Sequence, residues 1–155
     1  MLSGNQIILD MYNCRYDMLS DLTGMEQIIK ESMNAFFVTP LSFCSQTHKD
    51  SNNLSLIVFH EYGHVIVHTF PDTGFASLDI LFTVSNIALE KIAVKIRNTL
   101  GSQKYKTTYL KRGDFGKLND MKPTIHKKTK TWRRVRNTSA KVLKLISMKR
   151  NYDID

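Results

Sequence analysis

Short hydrophobic runs along the chain, several of them alternating with polar positions, predict a sheet of several strands. β-Branched and aromatic residues dominate these runs, which cover residues 6–12, 37–43, 54–60, 65–70, 75–82 and 104–110. Apolar residues instead recur at helical spacing over 22–36 and 87–100, which predicts two amphipathic helices. The resulting order, β-α-β-β and then β-β-α-β, predicts an α+β two-layer sandwich: a mainly antiparallel sheet with helices on one face.

The last third of the chain differs from the rest in charge. Residues 1–100 carry six Lys/Arg and ten Asp/Glu, a net charge of −4, whereas residues 101–155 carry sixteen and four, a net charge of +12. The polar stretch 113–131 predicts a linker, and 132–148 predicts a basic helix. We therefore expect one domain over 1–112 and a basic linker with a helical tail over 113–155. The tail predicts an anionic partner, and a nucleic-acid-binding module is one alternative function.

Composition narrows the class of protein further. No apolar run approaches the length of a membrane span, and the first residues lack a signal-peptide pattern, so no membrane partner is expected. The two cysteines, Cys14 and Cys44, are too few for a disulfide scaffold. A reducing cytoplasm is therefore the expected compartment.

The sequence His60-Glu61-Tyr62-Gly63-His64 matches a zinc-peptidase motif if it forms a helix. His60 and His64 would then share one face, and Glu61 would be the base for a zinc-bound water. Gly63 and the β-branched flanks disfavour that helix. A zinc-dependent hydrolase is therefore kept as an alternative, while the favoured interpretation has strands here and no metal site.

Several motifs resemble the bacterial-type S-adenosylmethionine decarboxylase family. Its strand motif Asp-x-Tyr-x-Cys is matched by Asp10, Tyr12 and Cys14. Its core is Glu-Ser-His, three apolar or small residues and then His-Thr-Trp-Pro-Glu; residues 62–72 of this chain read YGHVIVHTFPD. The resemblance covers about residues 5–112. It implies the fold predicted above, a homodimer and a link to polyamine (spermidine) biosynthesis.

Members of this family cut their own chain before a serine and convert that serine into a pyruvoyl group, which serves as the electron sink for decarboxylation. The matching position here is Gly63, which has neither a hydroxyl nor a Cβ atom. The family's proton-donating cysteine matches Thr83, and a threonine hydroxyl is a poorer acid than a thiol. The resemblance therefore implies no self-generated pyruvoyl cofactor in this chain, and leaves decarboxylase activity open.

The remaining site residues match the family in part. Ser55 and His68 match the residues that assist self-processing in the family. Phe70 and Asp72 replace a tryptophan and a glutamate of the family motif. Phe70, Asp72 and Asp10 are the expected substrate contacts. An S-adenosylmethionine-like molecule is the expected ligand, and a second copy or an active homologue is the expected partner. The sequence thus predicts a diverged or regulatory family member, a pseudoenzyme.

Overall fold

The computed structural model describes residues 4–113 and the backbone of Thr124–Lys127. The strands are β1 (Gly4–Tyr12), β2 (Ser42–Thr47), β3 (Leu54–His60), β4 (Gly63–Phe70), β5 (Phe75–Phe82), β6 (Lys104–Arg112) and β7 (Thr124–Lys127). The helices are α1 (Tyr16–Ser20), α2 (Leu22–Asn34) and α3 (Leu89–Thr99), and a 3-10 turn covers Pro71–Thr73.

One antiparallel sheet contains all seven strands, in the order β2-β3-β4-β5-β1-β6-β7. Alternate residues of the central strands are buried under the helices, for example Val65 and Val67 of β4. They form one core with Ile29 of α2 and with Ile92 and Ile96 of α3. The intervening residues lie on the opposite side, which we call the open face. The predicted α+β class is therefore confirmed.

Local sequence explains some element boundaries and not others. Asp21 caps α2, as its side chain accepts a hydrogen bond from the Gly24 backbone N–H at 3.0 Å. The expected strand over 37–43 is wrong at its start. Phe37 has a left-handed φ of 61° and its backbone N–H bonds to the Asn34 carbonyl, so a turn follows α2 and β2 begins only at Ser42.

The structure shows a strand within the stretch 113–131 that was predicted to be a linker. The backbone of Thr124–Lys127 pairs with Lys104–Thr107 of β6, so this part of 113–131 is a strand of the sheet. The predicted helix over 132–148 lies outside the described residues. The division of the chain at residue 112 stays a prediction.

A buried threonine connects α1 to the hairpin formed by β3 and β4. The Thr69 side chain is fully buried; its hydroxyl donates to the Leu19 carbonyl at 2.7 Å and accepts from the Leu54 N–H at 3.1 Å. Leu54 pairs with Thr69 in the sheet, and the next pair along the hairpin is Ser55 with His68. The Thr69 hydroxyl therefore helps fix the backbone on which two predicted site residues lie.

We predict that Thr69→Val destabilises the domain by about 2–4 kcal/mol, because a buried N–H and a buried carbonyl each lose a partner. Thr69→Ser keeps the hydroxyl and loses one buried methyl, which costs about 1 kcal/mol. Urea unfolding followed by circular dichroism measures both. A Thr69→Val variant as stable as the wild type would show that the hydroxyl contributes nothing.

Candidate functional site

The strand register divides the predicted site residues between opposite ends of the β3–β4 hairpin. Ser55 pairs with His68 at one end, whereas Gly63 pairs with His60 and Phe82 at the other. Five residue steps along β4 separate Gly63 from His68, which corresponds to about 16 Å. One copy of the chain therefore does not bring Gly63 and His68 into a single site.

A row of polar side chains crosses the open face from β3 to β6. Ser55, His68, Ser77, Asp10 and Lys106 lie opposite one another in successive strands. The Ser55 Oγ is 3.0 Å from His68 Nδ1, and Lys106 Nζ is 3.8 Å from an Asp10 carboxylate oxygen. Directly opposed residues share a face of the sheet, so the predicted residues Ser55, His68 and Asp10 form one row.

The Ser55–His68 contact has the geometry of a hydroxyl paired with a base. The His48 Nε2 atom approaches the same Ser55 Oγ at 3.5 Å from the loop between β2 and β3. The imidazole of His68 can exchange a proton with the Ser55 hydroxyl. Sequence analysis missed His48, since only the fold of this loop brings it to the row.

Three aromatic rings line the open face beside this row. The Phe70 and Phe75 ring centroids are 5.7 Å apart, and the Tyr12 and Phe75 centroids are 5.2 Å apart. Asp72 is exposed in the 3-10 turn that joins β4 to β5. The predicted contacts Phe70 and Asp72 thus lie at the Ser55–His68 end of the hairpin, as part of an aromatic and acidic surface.

The backbone of β5 occupies the space beside Gly63. A Cβ atom on residue 63 would overlap the Leu81 carbonyl oxygen and lie 2.9 Å from the Phe82 Cα. Real Cβ atoms essentially never come within 3.0 Å of backbone atoms. Residue 63 therefore has no room for a serine side chain unless β4 and β5 move apart. A pyruvoyl group does not fit the residues present here, and no chemical step is assigned to one.

The peptide bond before Gly63 is nevertheless held by two donors. The Tyr62 carbonyl oxygen accepts hydrogen bonds from the Thr83 backbone N–H at 2.8 Å and from the Thr83 hydroxyl at 3.0 Å. Two donors on one carbonyl polarise it, as in an oxyanion hole. Thr83 therefore contacts the peptide bond at the cleavage position predicted from the sequence, although residue 63 offers no nucleophile to attack that bond.

The motif His60–His64 does not form a helix. It spans the end of β3, a two-residue turn at Glu61 and Tyr62, and the start of β4. His60 points toward the helix-covered side, with its ring edge-on to Phe82 at 5.2 Å, whereas His64 lies opposite Phe59 on the open face. Among the described residues no group of three His, Cys, Asp or Glu side chains could hold a metal ion. The zinc-hydrolase alternative therefore loses its structural basis.

Comparison with known proteins identifies this architecture. Residues 5–113 match the family model described as S-adenosylmethionine decarboxylase, and the chain belongs to that family. A curated S-adenosylmethionine decarboxylase proenzyme from Methanococcus vannielii is 29% identical over 111 residues, which cover 71% of this chain and 89% of that protein. Another, from Sulfurisphaera tokodaii, is 26% identical over 102 residues, covering 66% and 82%.

A solved structure has the same fold. The crystal structure of the adenosylmethionine decarboxylase from Aquifex aeolicus aligns with a TM-score of 0.63 and 16% identity over 68% of this chain and 87% of that chain. The family resemblance seen in the sequence is thus confirmed, while its assignment to the bacterial type stays a prediction. In the part of the chain that the structure describes, no helix is long and apolar enough to cross a membrane.

The two cysteines differ in environment. Cys14, which completes the Asp-x-Tyr-x-Cys motif, is half-buried, and Cys44 is exposed on β2; both are free thiols. Burial raises the pKa of the Cys14 thiol to about 11, and a hydrogen bond with Ser102 offsets part of that rise. Since the thiolate is the reactive form, the raised pKa makes Cys14 less reactive at neutral pH.

We predict that iodoacetamide at pH 8 alkylates Cys44 readily and leaves Cys14 almost unmodified, because little Cys14 thiolate exists three pH units below its pKa. Raising the pH toward 11 should increase Cys14 labelling. Peptide mass mapping of the wild type and of Cys44→Ser measures each site. Labelling of Cys14 at pH 8 as fast as that of Cys44 would contradict the assigned pKa.

Proposed function

We propose that this chain is a diverged member of the S-adenosylmethionine decarboxylase family that does not process itself. The observation that carries this proposal is the close contact of β5 with Gly63, which leaves no room for the side chain from which a pyruvoyl group is made. Thr83, at the position of the proton-donating cysteine, supports it further. The proposed role is that of a regulatory subunit in polyamine biosynthesis.

Two retained features support a binding role. Phe70 and Phe75 keep an aromatic surface beside the exposed Asp72, and the Ser55–His68 contact is intact. An S-adenosylmethionine-like molecule has an aromatic base and a positively charged sulfonium, which suit aromatic and acidic side chains. We propose such a molecule as ligand of this surface, and the cytoplasm as compartment because both described cysteines are free.

We predict a single full-length mass for the purified wild type by denaturing mass spectrometry. Gly63→Ser should also stay uncut, because its Cβ atom meets the backbone of Leu81 and Phe82. Gly63→Ala adds the same Cβ atom without the hydroxyl and is the matched control. Both variants should lose about 1–3 kcal/mol of stability through overpacking.

Fragments 1–62 and 63–155 in the wild type would overturn the proposal. Cleavage in Gly63→Ser but not in Gly63→Ala would show that only the nucleophile is missing and that the strands can separate. Hydroxylamine should be included, since it cleaves an ester formed at residue 63 even where later elimination fails.

We also propose that the open face packs against a second protein copy of the same fold. Near its centre, four half-buried apolar side chains surround Asp79, whose carboxylate accepts hydrogen bonds from Gln6: Ile8, Ile57, Ile66 and Leu81. Such a patch is typical of an interface. A two-fold axis would also bring the Ser55–His68 end of one copy near the Gly63–Thr83 end of the other. The partner is a second copy of this chain or an active homologue.

We predict that light scattering gives a mass twice the 17.9 kDa of one chain. Ile66→Glu should shift the protein to monomer, because it places a charge in the centre of the proposed interface. Val94→Glu, on the exposed outer surface of α3, should leave the dimer intact. A wild-type monomer would exclude the homodimer, and dimers of both variants would exclude the open face as its interface.

A further inference from the structure

A groove separates the start of α3 from β6 on the helix-covered side of the sheet. It is a cavity of about 500 Å³ lined by residues 5–7, 87–91 and 109–111, and we call it the α3–β6 groove. A smaller cavity of about 220 Å³ shares Ile7, Glu90 and Tyr109 with it and continues toward Arg97. None of the residues assigned above to processing or substrate binding lines either cavity. The larger volume is in the usual range for small-molecule sites.

Cations outnumber carboxylates around this groove. On the helix-covered side, α3 and β6 contribute four cations and one carboxylate: Lys91, Lys95, Arg97, Lys111 and Glu90. The other three cations of β6 lie on the open face, as Lys106 does beside Asp10. Lys91 and Lys111 line the α3–β6 groove and are exposed. A groove with two lysines and one glutamate on its walls favours an anionic ligand.

An aromatic ring also lines the α3–β6 groove. Tyr109 is 44% exposed and lines both cavities, so one part of its surface is available for stacking. Burial raises the pKa of Tyr109, and the charge of Glu90 and the neighbouring Tyr105 add to that rise, so the phenol stays neutral and can donate a hydrogen bond. Apolar walls formed by Ile87 and Leu89 suit a flat ring.

We propose that the α3–β6 groove binds a nucleoside phosphate, either free or as one unit of a single-stranded nucleic acid. Its base stacks on Tyr109, and its phosphate contacts Lys91 and Lys111. Bases stack on aromatic side chains regardless of their identity, and lysine binds phosphate as a point charge. Glu90 is the one carboxylate among the residues that line the groove, and it opposes the phosphate.

Calorimetric titration of the full-length protein at low salt tests the proposal, with ADP, adenosine and a ten-residue oligothymidylate as probes. The double variant Lys91→Gln/Lys111→Gln should weaken ADP binding about tenfold, because each contact of an exposed lysine with phosphate contributes only about threefold in affinity. Tyr109→Ala should weaken it similarly, whereas Tyr109→Phe should keep most of the affinity. Glu90→Gln should strengthen binding. Lys30→Gln/Lys49→Gln removes two exposed lysines elsewhere and is the matched control.

Binding of ADP with weaker binding of adenosine supports a free nucleotide as the ligand. Binding of the oligonucleotide alone, reduced by the groove variants, supports a nucleic acid instead. The proposal is overturned if neither ADP nor the oligonucleotide binds, or if adenosine binds as tightly as ADP. It is also overturned if the lysine-pair and Tyr109→Ala variants bind as the wild type does, or if the control variant loses as much affinity as the lysine pair. These readouts are independent of self-processing at Gly63.

Discussion

The close contact between β4 and β5 at Gly63 determines what the rest of this molecule can do. The Leu81 carbonyl oxygen lies where a side chain of residue 63 would begin, so the two strands approach more closely than any other residue would permit. In the register that brings these strands together, Gly63 lies opposite His60 and Phe82, and Ser55 lies opposite His68 at the other end of the hairpin.

Hydrogen-bonded polar groups lie at both ends of the β3–β4 hairpin. The Tyr62 carbonyl keeps two hydrogen-bond donors from Thr83, and Ser55 keeps its contact with His68. Residue 63 itself has no side chain, and His68 lies about 16 Å from it along β4. These contacts do not depend on a reaction at residue 63, because strand register depends on burial and hydrogen bonding.

Much of the fold was predictable because the hydrophobic pattern has the period of a half-buried strand. The bounds of β3 and β5 agree with the sequence prediction, since burial alternates along both without interruption. The five-residue helix α1 was missed, because so short a helix has too few residues for a periodic pattern. The turn at Phe37 was missed because a left-handed phenylalanine gives no sequence signal.

The identity of the site residues was predictable from the sequence, whereas their arrangement in space was not. Family resemblance supplied Ser55, His68, Gly63 and Thr83, and chemistry alone showed that glycine cannot form pyruvoyl. The separation of these residues into two ends, the approach of His48 and the overlap with Leu81 depend on which backbone atoms meet across strands. Such contacts join residues far apart in sequence, so no local pattern predicts them.

Acidic and basic residues lie in different parts of the described domain's sequence, which gives the domain an uneven charge. Residues 4–88 have a net charge of −6 and residues 89–113 a net charge of +6, although together they are neutral. Molecules of this kind attract one another head to tail when few ions screen them, and the attraction fades as the Debye length falls to about 10 Å near 0.1 M salt. The whole chain nevertheless carries a net charge of +8. In dilute buffer the head-to-tail attraction therefore acts against repulsion between positively charged molecules, and added salt weakens both.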